Sequence, residues 1–298
     1  MTTAITEPQP ERIKISLRSM YIAPPGKVLV AADLSQAESW IVAYLANEPS
    51  MKYSLNESDI HTDSAAALFY PTNSCLHKWQ KKEDGETRFC TKCAIEIVKS
   101  ARYIGKRYNH ASAYRMKYVR AAEVINKDSD KPPFVTVTLS ESKMFQERWH
   151  ARYNLKNWWA DIENKLANSR TLTTVYGFRR TFFSQWGDEL FKEATAFEPQ
   201  STVADHFNGA IHPELGIRGG LIEIYRQLVV PYKDHKIINQ SHDSCMMEVP
   251  ASSGVEIGQR MMALLKRPIV IKGEEFTIPT DGEIGERWGE MEPLKAAV

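Results

Sequence analysis

The stretch Lys27-Val-Leu-Val-Ala-Ala-Asp33 decides how the rest of this chain is interpreted. It is an apolar run with the length of a buried strand, and it carries a carboxylate at its C-terminal tip. A second run, Lys236-Ile-Ile-Asn-Gln-Ser-His-Asp243, also ends in an aspartate, and Cys245-Met-Met-Glu-Val249 resumes the strand pattern. These two runs predict a hairpin with His242-Asp243-Ser244 at its turn. If the strands that carry the aspartates are neighbours, Asp33 and Asp243 meet at one point.

A pair of carboxylates on rigid strands is what two-metal phosphoryl transfer requires. In such sites two divalent ions roughly 3.5–4 Å apart hold the attacking and leaving oxygens. The simpler alternative is that each aspartate only ends a strand or begins a turn, and for either residue alone that alternative is the better one.

The segment Lys99–Arg120 favours the metal site, because it contains seven Lys and Arg residues and no acid. Arg102, Lys106, His110 and Tyr114 recur every four residues, so a helix would align them along one face. Arg can donate two parallel hydrogen bonds to a phosphate, Lys provides a point charge, and Tyr provides a flat surface for a base or sugar. The alternative is a solvated basic face. The aromatic groups and the missing acids favour a nucleoside triphosphate platform.

Taken in order, these motifs resemble DNA polymerase family A, the DNA polymerase I type. The resemblance covers the chain from about Arg12 to Glu290. The family's D-Y-S-Q-I-E-L-R, D-I-H-T, fingers-helix, Q-G-T-A-A-D and V-H-D-E motifs correspond to Asp33–Trp40, Asp59–Thr62, Arg102 to Tyr114, Gln200–Asp205 and Ser241–Ser244.

The resemblance implies a role for each matching residue. Asp33, Asp243 and the backbone carbonyl of Leu34 would bind two Mg²⁺ ions, and Lys106 would be the acid for the departing pyrophosphate. Asp33, Asp243 and Lys106 are thus the predicted catalytic residues. The residues expected to bind the dNTP are Leu34, Gln36, Glu38 (as a steric gate against the 2′-hydroxyl), His61, Arg102, Lys106, His110 and Tyr114. Those expected to bind DNA are Arg115, Lys192, Gln200, Gln240 and His242.

Four of the departures from the family pattern bear on the expected roles. Leu34 replaces a Tyr but keeps the backbone ligand, and His110 replaces the Phe or Tyr that governs tolerance of 3′-deoxy sugars. Arg115 replaces a Gly beside Tyr114. Ser244 replaces the Glu that follows the second aspartate, which is the least essential acid of the three.

A short polar loop carries four further candidate metal ligands: Cys75 and His77, then Cys90 and Cys93. Cys-x2-Cys is a common half-site for tetrahedral zinc, and a Cys-x-His pair can supply the other half. The intervening Lys81–Thr87 is too polar to pack by itself, so a structural zinc would give this insertion its fold. The alternative is a flexible insertion with reduced cysteines.

The resemblance implies an α+β fold, a palm with an antiparallel sheet and flanking helices, into which mainly helical fingers are inserted. Residues 1–10 are expected to be disordered. We expect the palm at 11–47 and 190–298 and the fingers at 48–189, with the zinc insertion at about 72–97. Since the first palm motif begins at Asp33, no thumb or exonuclease domain is expected. A separate polypeptide is therefore the expected partner for processivity, besides primer-template DNA and dNTPs.

Local patterns predict the elements. We expect helices at Gln36–Leu45, His61–Phe69, Lys99–Arg120 and Met144–Ser169, and a polar loop before Asp59. A strand pair is expected around Gly177, two helices within 188–227, and a last strand near Glu275–Ile278.

Composition limits the setting. The chain has 298 residues, 43% of them hydrophobic, and a net charge of only +1, so affinity for nucleic acid must come from local patches. Four cysteines, no signal peptide and no apolar run near twenty residues predict a cytoplasmic, reducing setting in a bacterial or phage-infected cell, without a membrane.

Three other functions are compatible with parts of the pattern. A single-subunit RNA polymerase would also carry His-Asp-Ser at the hairpin, but Glu38 favours deoxynucleotides. A non-catalytic, polymerase-derived DNA-binding protein would have no need of the two aspartates with Arg102 and Lys106. A two-metal nuclease would gather more carboxylates and would not need a triphosphate-binding helix.

Overall fold

A computed structural model describes residues 17–295 of the protein. The predicted disordered segment 1–10 and the first predicted palm residues lie outside this range. The described residues form ten α-helices: α1 (Ala37–Leu45), α2 (Pro49–Glu57), α3 (Ile60–Phe69), α4 (Lys99–Ala113), α5 (Tyr118–Lys127), α6 (Leu139–Arg152), α7 (Lys156–Ser169), α8 (Asp188–Asn208), α9 (Gly220–Ile224) and α10 (Gly254–Leu265).

The same residues form twelve strands: β1 (Lys27–Leu34), β2 (Trp79–Lys81), β3 (Arg88–Cys90), β4 (Glu96–Ile97), β5 (Thr171–Thr173), β6 (Arg179–Thr181), β7 (Lys236–Ser241), β8 (Ser244–Pro250), β9 (Pro268–Ile271), β10 (Glu274–Thr277), β11 (Thr280–Gly285) and β12 (Glu292–Leu294). This mixture confirms the predicted α+β class. Within residues 17–295 no thumb or exonuclease domain is found.

Two compact units divide the chain. Of the described residues, the first unit contains 17–33, 221–265 and 280–295, and the second contains 34–220 and 266–279. These boundaries differ from the predicted boundaries of palm and fingers, which follow the domains of the family. The palm and fingers boundaries stay a prediction.

The first unit is built on a five-stranded sheet of order β12-β11-β1-β8-β7. The pairs β1–β8, β8–β7 and β11–β12 are antiparallel. Helix α10 covers one face of this sheet at very close range: a Cβ on Gly254 would lie 2.6 Å from Val28 Cγ2, and one on Gly258 would lie 2.7 Å from Val30 Cγ1. Because side chains alternate along a strand, Asp33 belongs with residues on the opposite face from Val28 and Val30.

The second unit is mainly helical. Trp149 and Tyr153 are fully buried in its core. Helices α3 and α4 pack so closely that a Cβ on Gly105 would lie 2.4 Å from the carbonyl oxygen of His61. The insertion between them folds into a ribbon of strands β2, β3 and β4.

Several predicted elements are confirmed. The helix after Asp33 begins at Ala37, and Ile60–Phe69 is helical. The strand pair around Gly177 forms with that glycine at φ 87°, and α8 and α9 are separated as expected.

Other predictions at this level are wrong. The stretch before Asp59 is not a loop but helix α2, which begins with Pro49. The Glu48 carboxylate caps this helix by accepting the Ser50 N–H at 3.1 Å. The predicted helix to Arg120 ends at Ala113, because Arg115 adopts a left-handed conformation with φ 62°. The predicted helix Met144–Ser169 is two helices, separated at residues 153–155. None of the ten described helices is long and apolar enough to cross a membrane.

Candidate active site

The hairpin of β7 and β8 brings the two predicted aspartates to one cavity. Asp33 on β1 lies opposite Ser244, the first residue of β8, and His242 forms the turn with φ 52°. A cavity of about 390 Å³ is lined by Asp33, Asp243 and Ser244 together with Glu283 of β11. The predicted meeting of Asp33 and Asp243 is therefore present in the first unit.

The cavity is strongly acidic. Burial, and after it the neighbouring carboxylates of Asp281, Asp243 and Glu283, together raise the pKa of Asp33 to about 6. Asp281 and Glu283 were not among the predicted site residues. Their spacing of two in Thr280–Gly285 places both on one face of β11, and this alternation was the signal in the sequence.

This donor set fits divalent cations. Carboxylate and carbonyl oxygens are the ligands that Mg²⁺ prefers, and a cation would offset the burial and the neighbouring negative charges that raise the pKa of Asp33. Asp33 and Asp243, which line the cavity, are the residues that would hold it, and the role expected of the Leu34 carbonyl stays a prediction. Asp281 and Glu283 add negative charge nearby, although Ser244 lacks the carboxylate of the family motif.

A second group of predicted residues lies in the second unit, on α3 and α4. Asp59 caps α3 by accepting the Thr62 N–H at 2.9 Å, and it also accepts a charged hydrogen bond from Arg102 Nη2 at 2.7 Å. The Nε of Arg102 donates to Thr62 Oγ1 at 3.1 Å. The start of α3 therefore holds the guanidinium of Arg102 through two of its three nitrogens.

His61 is held as a neutral imidazole. The indole N–H of Trp149 can only donate, and it donates to Asn109 Oδ1 at 2.8 Å. The Asn109 amide nitrogen must then face His61, 2.9 Å from its Nδ1, which acts as the acceptor and leaves the proton on Nε2. Burial lowers the pKa of His61 to about 3, with Arg102, His110 and Lys106 acting in the same direction and Asp59 against it.

The predicted steric gate Glu38 is also fixed in this unit. The hydroxyl of Tyr114, at the end of α4, donates to Glu38 Oε2 at 2.5 Å, which joins α1 to α4. Burial and then the charge of Glu38 raise the pKa of Tyr114 well above its usual value, so the phenol stays protonated and remains a donor. Lys106 and His110 are exposed on the same helix, and the rings of His110 and His61 lie 5.9 Å apart.

The predicted DNA-binding residues have varied surroundings. Arg115 pairs with Glu163 at 2.5 Å, and its guanidinium lies 5.0 Å from the ring centre of Phe191 and 5.4 Å from that of Trp159. Gln200, Gln240 and His242 are exposed, and Lys192 is half-buried on α8. The Gln240 amide donates to the His242 carbonyl across the hairpin turn at 3.4 Å. The contacts of these five residues with DNA stay predictions.

The four predicted zinc ligands converge in the second unit. Ligand atoms of Cys75, His77, Cys90 and Cys93 all lie within 4.8 Å of one another. Cys75 Sγ and Cys90 Sγ are 4.0 Å apart, and Cys93 Sγ is 3.4 Å from His77 Nδ1. Tetrahedral coordination with Zn–S bonds of about 2.3 Å separates neighbouring sulfurs by roughly 3.8 Å, so this set fits zinc closely.

Comparison with known proteins agrees with this geometry. The sequence profile of DNA polymerase family A matches residues 5–290. DNA polymerase I of Borreliella burgdorferi is 22% identical over 277 residues, which cover 92% of this chain and 26% of that protein. DNA polymerase I of Aquifex aeolicus is 22% identical over 285 residues, which cover 94% of this chain and 42% of that protein.

Among solved structures, the POL domain of Pol1 from M. smegmatis, in complex with DNA primer-template and dNTP, is similar with a TM-score of 0.65 and 18% identity. The match covers 91% of this chain and 42% of that one. The fold is that of a polymerase domain. The chain belongs to DNA polymerase family A, and it spans less than half the length of each of these three relatives.

Proposed function

We propose that the chain is a template-directed DNA polymerase, which adds deoxynucleotides to a primer 3′ end by two-metal-ion phosphoryl transfer. The observation that carries the proposal is the convergence of Asp33 and Asp243 in one acidic cavity on the β1–β8 pair. Family membership and the carboxylate positions support the same reaction. The cofactors of this enzyme are two Mg²⁺ ions at Asp33, Asp243 and the Leu34 carbonyl, and one structural Zn²⁺ at Cys75, His77, Cys90 and Cys93.

Each side chain has a defined part in this proposal. Asp33 and Asp243 provide the negative charge that holds the ions, which when bound activate the primer hydroxyl and stabilise the leaving oxygen. Asp59 and Thr62 occupy Nη2 and Nε of Arg102, so Nη1 is the nitrogen that we assign to a phosphate oxygen. His61 donates through Nε2, and Lys106 provides a proton for pyrophosphate. Glu38, fixed by Tyr114, excludes the 2′-hydroxyl.

Primer extension with Mg²⁺ tests the proposal. The wild type is compared with Asp243→Asn, which removes the charge but keeps the shape, and with Asp234→Asn, an exposed aspartate outside the cavity. We expect dNTP-dependent extension that Asp234→Asn retains and that Asp243→Asn lowers by at least about a thousandfold, since an essential group is lost. Equal extension by wild type and Asp243→Asn would contradict the proposal.

The same assay separates the alternatives. A single-subunit RNA polymerase is favoured by one feature, the serine at position 244, and it would incorporate NTPs as well as dNTPs. A non-catalytic DNA-binding protein would bind primer-template without extending it. A nuclease would shorten the primer when Mg²⁺ is added.

The proposal includes a partner for the grip on duplex DNA and a cytoplasmic, reducing setting. The first described residues expose large apolar side chains, with Leu17 77% and Met20 67% exposed, and these suit contact with another polypeptide. A pull-down followed by primer extension with the captured protein tests this. Processivity that does not change when the partner is added would contradict it.

A further inference from the structure

The zinc ribbon between α3 and α4 has little apolar material of its own. Its outer loop, Lys81–Thr87, is exposed or partly exposed throughout. The side chains that anchor it are few: Cys90, His77 and Ile97 are buried, while Trp79 and Ile95 are half-buried. A module this small needs a cross-link to hold one conformation.

The backbone around the ligands is already folded for a metal. Cys90 and Cys93 bracket a tight turn in which the Ala94 N–H donates to the Cys90 carbonyl at 2.9 Å, and Ala94 adopts φ 60°. Within this turn the Lys92 N–H points at Cys90 Sγ, 3.4 Å away. A backbone N–H aimed at a sulfur stabilises a thiolate ligand. Strands β2 and β3 place Cys90 directly opposite Trp79, next to His77 and Cys75.

Two contacts connect this ribbon to α3 and α4. The first begins at His77, whose ring stacks on Trp79 with centroids 4.6 Å apart. The Trp79 indole N–H in turn donates to Asp63 Oδ1 at 2.7 Å. Asp63 is only 2% exposed and lies on α3 two positions after His61, and its Oδ1 also accepts the Ser58 hydroxyl at 3.0 Å.

The second contact is apolar. Ile97 of β4 forms a small core with Ala65 and Ala66 of α3, against which Trp79, Ile95 and Ala101 of α4 pack. Helix α4 begins two residues after Ile97, so the ribbon ends where the helix carrying Arg102 starts. The ribbon therefore touches both helices that carry the predicted triphosphate contacts.

We infer that a zinc ion held by Cys75, His77, Cys90 and Cys93 fixes the position of α3 and α4, and that its loss loosens both helices and weakens triphosphate binding. Trp79 and Asp63 are the positioning residues that connect the metal to His61 and Arg102. The triphosphate part of this inference rests on the proposed function, whereas the metal and helix parts do not.

Metal content and amide hydrogen exchange test the part that is independent of polymerase activity. We expect one zinc per chain in the wild type and none in Cys93→Ser, whereas Lys92→Gln, an exposed position between the same two ligands, keeps its zinc. We expect faster exchange in α3 and in the first turns of α4 of Cys93→Ser, and unchanged exchange in β1, β8 and α10. A wild type without zinc, or zinc loss that leaves α3 and α4 unchanged, would overturn the inference.

A second variant covers the case in which Cys93→Ser fails to fold. Trp79→Phe removes the indole N–H that Asp63 accepts and leaves all four ligands in place. We expect it to keep its zinc, because all four ligands remain, to exchange faster in α3, and to bind a dNTP roughly tenfold more weakly, which is the lower end of the activity losses seen when residues around a metal ligand are changed. Wild-type exchange in α3 together with wild-type dNTP affinity would overturn the inference. If the wild type itself binds no dNTP, the proposed function fails and the zinc and exchange results still decide the positioning role.

Discussion

At the scale of single residues, Asp33 shows the electrostatic cost of the acidic cavity. Its pKa in the folded chain is about 6, above the 3.8 of an unfolded aspartate, mainly because of burial and then because of Asp281, Asp243 and Glu283. The folded state therefore binds this proton more tightly than the unfolded state does. The protonated Asp33 therefore stabilises the folded state fully below about pH 4, and this stabilisation is lost as the pH rises through 6.

It follows that Asp33→Asn should stabilise the apoprotein at pH 7.5 while abolishing extension. We expect the free energy of unfolding to rise by about 1 kcal/mol. This is less than the full pKa shift implies, because Asp33 is partly exposed. Urea unfolding at pH 7.5 and at pH 4 measures it, and the gain should vanish at pH 4. A variant less stable than wild type at pH 7.5 without Mg²⁺ would contradict this account.

The bond from Tyr114 to Glu38 predicts a second residue-level effect. Tyr114→Phe removes the hydroxyl that holds the Glu38 carboxylate, and a hydrogen bond to a charged group contributes about 1.5–3 kcal/mol. We expect the freed Glu38 to exclude ribonucleotides less strictly, so that the ratio of NTP to dNTP incorporation rises by about tenfold. Tyr118→Phe, a tyrosine on the neighbouring helix α5, serves as the control. A ratio that stays at the wild-type value in Tyr114→Phe would contradict the assigned role of the bond.

At the scale of elements, the crossing of α3 and α4 depends on Gly105. Alanine inside a helix is usually about 1 kcal/mol better than glycine. Here its Cβ would lie 2.4 Å from the His61 carbonyl and 2.7 Å from the Ala65 nitrogen, so backbone atoms must move. We therefore expect Gly105→Ala to destabilise the protein by about 2 kcal/mol or more, of the order that overpacking costs.

Thermal unfolding of Gly105→Ala checks this, with Ser100→Ala, five residues earlier on the same helix, as the control. The control should unfold within about 0.5 kcal/mol of wild type, as is usual for a substitution away from the core. A Gly105→Ala protein as stable as wild type would mean that α3 and α4 can separate at no cost.

Elements were predictable from the sequence where a local pattern defines them. Apolar runs predict the strand that contains Asp33 and the strand that ends before His242, and a capping aspartate predicts the helix after Asp59. The breaks near Arg115 and at residues 153–155 were missed, because a helical periodicity continues across both while the backbone changes direction. Helix α2 was missed because its residues are mostly polar, and its start depends on Pro49 and the Glu48 cap.

At the scale of the whole molecule, acid stability should depend on buried neutral histidines. Burial lowers the pKa values of His61 and His206 to about 3, and Arg267 and His212 add to the effect on His206. An unfolded histidine has a pKa of 6.5, so the stability from each is fully present above that pH and is lost as the pH falls towards 3.

As the pH falls below 6.5, protonation of the two unfolded histidines should lower the free energy of unfolding by up to about 2.7 kcal/mol per pH unit. Over the same range, Asp33 should raise it by up to about 1.4 kcal/mol per pH unit. We therefore expect a net loss of stability between pH 6.5 and 5, measured by urea titration at each pH. His206→Gln keeps a side chain that can hydrogen-bond to the Tyr176 hydroxyl as donor or acceptor, and it should halve the histidine part of the slope. Equal slopes in wild type and variant would show that His206 is not the titrating group.

Some residues of the candidate site were predictable from the sequence and others were not. The motif residues form two pairs, each within one unit: Asp33 and Asp243 line one cavity of the first unit, and His61 and Arg102 lie near one another on α3 and α4 of the second unit. Asp281 and Glu283 were missed, because nothing in the sequence shows that β11 is the neighbour of β1. Strand order is a property of long-range packing, which the local pattern does not encode.

The position of β1 at the centre of its sheet has a consequence for the order of events during synthesis. Its partners β8 and β11 follow it by roughly two hundred residues or more, and the intervening helical unit leaves the ribosome first. Until then the apolar strand Lys27–Leu34 has two open edges and a carboxylate without its companions. A nascent chain therefore has to keep this strand from pairing with other chains until β8 and β11 emerge, and the acidic cavity forms only after both strands are available.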